Sequence, residues 1–153
     1  ILEKLHEEIE RGQRKKTNTC IAMFDLDHFK KINDTYGHQV GDEILKGFTK
    51  IINAHIRAYD SIGRLGGEEF LLIIPEILEN EAVPILERLL NEVRNTPIHT
   101  SYGELKITTS IGGIIIKGKP NIDKIIKSAD DALYKAKENG RNQLIFSGII
   151  SDE

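Results

Sequence analysis

Apolar residues follow two rhythms along this chain. Residues 1–14 place Ile1, Leu2, Leu5 and Ile9 on one side of a charged segment, which predicts a helix. A polar connector over 13–18 leads into Thr19-Cys20-Ile21-Ala22-Met23-Phe24, a nearly continuous apolar run of the kind that forms a central strand. The run closes on Asp25-Leu26-Asp27. Side chains alternate along a strand, so Asp25 and Asp27 share one face and Leu26 takes the other. A short helix is expected after it. From 39 to about 57, Val40, Ile44, Leu45, Phe48, Ile51, Ile52 and Ile56 recur at helical spacing and predict a core-facing helix.

The period then shortens. Residues 61–65 and 69–74 read as two arms of a hairpin around Gly66-Gly67, both expected to take positive φ, with Pro75 ending the second arm. Ala82, Val83, Leu86, Leu89, Leu90 and Val93 mark a helix over 79–95, stopped by Pro97. After a turn at 100–104, residues 105–116 read as a β-branched strand. Asn121 caps a further helix whose core face is Ile122, Ile125, Ile126, Ala129, Leu133 and Ala136. Gly140 ends that helix, residues 143–146 form a last strand, and no element is assigned to the tail. Hairpins mixed with helices predict an α+β fold with a largely antiparallel sheet covered by helices.

At 153 residues, with 39% apolar and 29% charged residues, the chain is expected to be a single domain over 1–153 with its own core. A net charge of −3 gives no general attraction to nucleic acid or to an anionic membrane, so phosphate binding must come from a few placed groups. The single cysteine, Cys20, sits in an apolar run and reads as a small buried hydrophobe. No apolar stretch is long enough to span a bilayer and no signal peptide is visible, which fits a cytoplasmic domain, whether free or part of a larger membrane-attached protein.

Two acids, Glu68 and Glu69, leave the double glycine at once. Glycines let a ligand approach the backbone, and carboxylates suit a hard cation, although a solvated charged turn is the plainer reading of this segment alone. An acid ending a buried strand is expensive unless paired or metal-bound, which makes Asp25 a metal candidate, while Asp27 can cap the helix that follows. Asn33 and Asp42 carry the donor and acceptor set that reads a guanine edge, or serve as ordinary caps and turns. Arg57 and Asp60 form either a local ion pair or a phosphate or guanine fork. Lys137 and Arg141 complement a helix C-terminus or bind phosphates.

Arg64-Leu65-Gly66-Gly67-Glu68-Glu69-Phe70 resembles the GGDEF motif of diguanylate cyclases, here in a GGEEF form. Two further blocks extend the resemblance, one from Asp25 through Phe29-Lys30, Asn33-Asp34 and Gly37-His38 to Gly41-Asp42, and one from Ala129 to Asn142. The Asp-x-Leu-Thr-Gly-Leu-x-Asn-Arg block that family members usually carry upstream is absent. The resemblance implies a palm-like fold with a ferredoxin-like core, as in adenylyl cyclases, and a central five-stranded, mostly antiparallel sheet. It implies condensation of two GTP molecules into cyclic di-GMP with release of two pyrophosphates. Asp25, the Leu26 carbonyl and Glu68 would hold Mg²⁺ or Mn²⁺, up to two ions per site, with Glu69 as a second-metal ligand. Glu68 and Lys30 would be catalytic, and Lys30, Lys137 and Arg141 would balance phosphate charge. Backbone N–H groups near His28 and Phe29 would hold the terminal phosphates, and Asn33, His38 and Asp42 the guanosine. Arg57 and Asp60 would form an inhibitory product site. Joining two nucleotides symmetrically implies a homodimer, and control is expected from an upstream sensory or receiver segment. The rival expectations are a non-catalytic receptor for cyclic di-GMP or GTP, and a cyclase of the same fold with another base choice.

Overall fold

The computed structural model describes residues 1–152. In chain order they form α1 (Leu2–Lys15), β1 (Asn18–Leu26), α2 (Phe29–Tyr36), α3 (His38–Asn53), β2 (Ser61–Gly66), β3 (Glu69–Ile77) and α4 (Glu79–Asn95). There follow β4 (Ile98–His99), β5 (Glu104–Leu105), β6 (Thr109–Ile116), α5 (Ile122–Glu138) and β7 (Leu144–Ile150). The five-stranded sheet has the order β2-β3-β1-β6-β7, and β4 and β5 pair separately. The β2–β3, β3–β1 and β1–β6 pairs are antiparallel, but β6 and β7 run parallel. The sheet is therefore mostly antiparallel, as expected, but mixed, because α5 carries the chain back across one face before β7 begins.

β1 lies in the middle, and both of its faces are covered. Cys20, Ala22, Phe24 and Leu26 join Phe48, Leu72 and Leu86 in a cluster under α2, α3 and α4. Ile21 and Met23 face the other way, with Leu5 and Ile9 of α1 and Ile125 and Leu133 of α5. That double burial is why the strand reads as an unbroken apolar run rather than an alternation. Burial pushes the Cys20 thiol up to about 12, as expected of a small core residue. Leu2 and Val83, which the periodicity places with the apolar faces, stay exposed. Among the described residues no helix is long and apolar enough to cross a membrane.

Four element boundaries depart from the sequence reading. α3 stops at Asn53, four residues before Arg57, because the Asp60 carboxylate captures the Arg57 N–H at 2.8 Å and Asp60 N–H closes a turn on the Arg57 carbonyl. β3 runs through Pro75 to Ile77. Its neighbour β2 begins at Ser61, opposite Ile73, so β3 has a free edge beyond that point, where a residue without an N–H is tolerated. The single strand predicted for 105–116 is two. β5 pairs with β4, and β6 starts at Thr109, after the Thr108 carbonyl has accepted the Asp27 N–H. β7 extends to Ile150, with Gly148 at φ 88° where its register with β6 shifts.

α5 lies directly on β6 at Gly112. A Cβ there would come within 2.2 Å of the Leu133 nitrogen and 2.4 Å of the Ala129 carbonyl oxygen, both backbone atoms with no freedom to give way. Gly112→Ala should therefore destabilise the protein by at least ~2 kcal/mol, measured as a shift in the denaturant midpoint. The adjacent Gly113 faces side chains instead, so Gly113→Ala should cost less.

Candidate active site

The chemistry suggested by the sequence gathers where β1 ends, beside the β2–β3 hairpin. Asp25 pairs in register with Glu69 of β3 and with Ser110 of β6. It is buried, and its Oδ2 lies 2.5 Å from Lys137 Nζ at the end of α5. Burial raises the Asp25 carboxyl above its ordinary range, Lys137 pulls it back in part, and the charges of Glu68 and Asp27 push it up again. Burial likewise raises Glu69, with Asp25 the next cause. These acids crowd one another, so a bound cation relieves a cost that is already present in the fold.

The hairpin turn differs from its expected form. Gly66 pairs with Glu69 across the ladder, so the two turn residues are Gly67 and Glu68, not the two glycines. Only Gly67 has positive φ, at 51°. The turn is pinned from both sides: Arg64 Nε donates to the Gly67 carbonyl at 2.7 Å, and Leu26 N–H donates to the Glu68 carbonyl at 3.2 Å. Glu68 thus sits in the loop itself, tied by its backbone to the residue after Asp25. A Cβ on Gly66 or Gly67 would meet nothing within 4 Å, so the space over this turn is open.

Asp27 does not cap α2. Its carboxylate accepts from Thr108 Oγ1 at 2.7 Å, Ser110 Oγ at 2.6 Å and Asn142 N–H at 3.0 Å. The N-cap of α2 is His28, exposed and at φ 56°, and no side chain caps the helix. The first-turn N–H groups of α2 are therefore open beside the acids, with Phe29 buried beneath them and Lys30 exposed. Further along, the Asn33 side chain packs onto α3 where Gly41 has no side chain. A Cβ on Gly41 would lie 1.8 Å from Asn33 Oδ1, which is buried and has no hydrogen-bond partner. This explains a glycine inside a helix, where it costs about 1 kcal/mol relative to alanine. His38 and Asp42 are exposed on the first turns of α3. The loop after α5 returns to the same end of the sheet through Asn142, with Arg141 exposed at φ 63°.

The structure thus brings together Asp25, Leu26, Glu68, Glu69 and Lys137, with His28, Phe29, Lys30 and Arg141 around them. Arg57 and Asp60 stand apart, before the start of β2 and roughly 20 Å of strand away from the turn. They form a fork, with Nη2 to Oδ1 at 2.9 Å and Nε to Oδ2 at 3.1 Å, and Nη2 also donates to the Pro75 carbonyl at 2.7 Å. Arg57 lies over the Tyr59 ring at 4.4 Å. Among the described residues no three acidic, histidine or cysteine side chains close a metal cage. Mg²⁺ does not need one, because it is commonly held by one or two carboxylates with phosphate oxygens and water. The all-oxygen donor set fits that ion.

A family model described as "Diguanylate cyclase, GGDEF domain" matches residues 1–143. The chain belongs to the GGDEF family. It is 38% identical over 138 residues to diguanylate cyclase DosC of Escherichia coli strain K12, a match covering 90% of this chain and 30% of that protein. It is 39% identical over 126 residues to the response regulator PleD of Caulobacter vibrioides, covering 80% and 28%. The chain thus spans about a third of the length of the curated relatives it matches. Among solved structures, diguanylate cyclase SiaD of Pseudomonas aeruginosa, in complex with its activator SiaC, superposes with a TM-score of 0.89 at 38% identity, covering 95% of this chain and 56% of that one. The GGDEF domain of DgcB from Caulobacter crescentus, in complex with c-di-GMP, superposes with a TM-score of 0.86 at 30% identity, covering 94% and 86%.

Sequence reasoning passed over several groups that build this GGDEF site. Thr108, Ser110 and Asn142 hold Asp27, and the Asp130 charge adds to the upward push on Glu69. The sequence marks Ser110 only by its place in Thr108-Thr109-Ser110-Ile111-Gly112, a Thr-x-Ser-Ile-Gly element that also resembles the family pattern. Nothing local marks Asn142 as a partner of a residue 115 positions away.

The raised Glu69 carboxyl has a sign that can be tested. The folded state holds a proton more tightly than the unfolded chain, so stability is lost as pH rises through the folded-state titration. In metal-free buffer, Glu69→Gln should raise the unfolding midpoint at pH 7, and the two proteins should converge below the ordinary glutamate range. Thermal melts across pH check this.

Proposed function

We propose that this domain condenses two GTP molecules into cyclic di-GMP, releasing two pyrophosphates. The observation that carries the reading is the gathering of Asp25, Glu68 and Glu69 at one end of the sheet with Lys137 beside them. Asp25, Glu68 and the Leu26 carbonyl are the groups that would hold Mg²⁺ or Mn²⁺, with Glu69 available to a second ion. A bound metal supplies Lewis-acid stabilisation of phosphoryl charge. The uncapped first turn of α2, at His28 and Phe29, presents backbone N–H groups to terminal phosphates. Lys30, Lys137 and Arg141 balance the charge that gathers on the phosphoryl oxygens. For this, Lys137 would exchange its Asp25 contact for a phosphate oxygen, leaving the Asp25 carboxylate available to a cation. Glu68 takes the proton of the attacking 3′-hydroxyl.

Asn33, His38 and Asp42 hold the guanosine. The position of Asn33 against Gly41, and the exposed Asp42 one residue further on, support this assignment by putting both on the α2–α3 corner. Each domain binds one nucleotide, so the product requires two copies face to face, with an upstream sensory or receiver segment controlling their approach. Arg57 and Asp60 serve as a feedback site for the product. Their present fork must open or share its guanidinium to do so.

The test is incubation of concentrated or artificially dimerised protein with GTP and Mg²⁺, followed by chromatography. Cyclic di-GMP is the expected product, and Glu68→Gln should lower its rate at least ~10²-fold. No cyclic dinucleotide together with tight cyclic di-GMP binding would establish a receptor instead, and comparable turnover of ATP would establish another base choice. Gly66 offers a second check. No atom of this chain fills its side-chain position, so Gly66→Ala should leave stability within about 0.5 kcal/mol while weakening GTP use roughly tenfold.

A further inference from the structure

α2 and α3 present Asn33 and Asp42; they touch where Asn33 and Phe29 lie against Gly41, and the chain passes between them at Gly37, φ 91°, a joint with little stiffness of its own. The tip of the β4–β5 hairpin spans that joint from outside. Its four residues form a closed turn: Thr100 N–H donates to the Gly103 carbonyl at 2.9 Å, Gly103 N–H donates to the Thr100 carbonyl at 3.0 Å, and Thr100 Oγ1 donates to the same Gly103 carbonyl at 2.6 Å. One turn residue, Ser101, grips α3. Its N–H donates to Glu43 Oε2 at 2.8 Å and its hydroxyl to Glu43 Oε1 at 2.7 Å, so both oxygens of one carboxylate are used. The other, Tyr102, lays its ring against Tyr36 of α2, with centroids 4.5 Å apart. The base of the hairpin is fixed, because Ile98 is buried and packs where Gly47 of α3 has no side chain.

The two gripped residues are placed to matter. Glu43 follows Asp42 directly, and Tyr36 lies one helical turn beyond Asn33. We infer that the Ser101–Tyr102 tip is a clamp that sets the angle between α2 and α3 and thereby aligns Asn33 and Asp42 on the guanine edge, which makes Glu43 and Tyr102 positioning residues for base specificity. This rests on the guanosine assignment above. Tyr102 is 68% exposed, so a role confined to packing the core does not account for the tyrosine there.

The experiment compares turnover of GTP with that of inosine triphosphate, which lacks the exocyclic amine that an ionised Asp42 can accept from. It uses wild type, Asp42→Ala, Glu43→Ala, Glu43→Gln and Tyr102→Ala, with melting midpoints alongside. Glu43→Ala and Tyr102→Ala should raise KM for GTP about tenfold with kcat little changed, and should bring the preference for GTP over the inosine nucleotide toward unity. Glu43→Gln keeps an oxygen for Ser101 N–H and should retain most of the preference. A preference that survives in both Glu43→Ala and Tyr102→Ala while Asp42→Ala loses it overturns the clamp alone. Wild type that makes no product, or Asp42→Ala with undiminished preference, overturns the guanosine assignment and the clamp with it. A drop in melting midpoint with an unchanged preference shows a structural role only, and also overturns the clamp.

Discussion

One buried carboxylate holds the functional end of the sheet together. Asp27 accepts hydrogen bonds from Thr108 before β6, Ser110 in β6 and Asn142 in the loop between α5 and β7. Left unpaired, an ionised acid in such a place would cost several kcal/mol, so its three donors are obligatory rather than decorative. The consequence is geometric. β1 cannot end as it does unless β6 and the α5–β7 loop come to the same point, and that brings Lys137 onto Asp25. Asp25 lies in β1 and Asp27 just past its end, and their burdens differ. Asp27 is fully satisfied by the fold, whereas Asp25 is balanced by one lysine and crowded by other acids.

The elements along the chain were largely legible because burial leaves a periodic trace. The unbroken run of β1 and the spaced isoleucines of α3 carry their structures on their face. Where the reading slipped, a long-range or backbone constraint had overridden a local signal. Ile56 kept the helical rhythm, but Asp60 competes for the Arg57 N–H and the helix ends at Asn53. Pro75 signals a strand end to any local reading, yet only the missing neighbour on one edge decides whether it is one. The site was legible as a set of residues but not as a geometry. Glu68 and Asp25 were singled out by residue type and family pattern. That the turn closes on Gly67 and Glu68, leaving Gly66 in the ladder, follows from a register that no single strand displays.

The candidate site lies beside two smaller cavities, of about 240 and 320 Å³, that His28 and Lys31 both line. A cavity of about 570 Å³ lies elsewhere, between α3 and the segment from Thr96 to His99, lined by Lys46, Gly47 and Ile51. The acids, the open hairpin and the uncapped α2 form a face instead. A face suits chemistry in which a second nucleotide arrives on a second copy, since enclosure then comes from the partner and not from one chain. Arg57 and Asp60 sit at the far end of β2, away from the acids.

The pairing of the first strand's acids with groups near the last helix also orders events in time. Asp27 waits for a donor 115 positions downstream, and Asp25 waits for the lysine that precedes it. A ribosome delivers those partners late, and contacts this distant in sequence close slowly. Until α5 is in place, the two acids at the end of the first strand lack these partners. The geometry of this end of the sheet is therefore completed only by the final crossover, which supplies both partners.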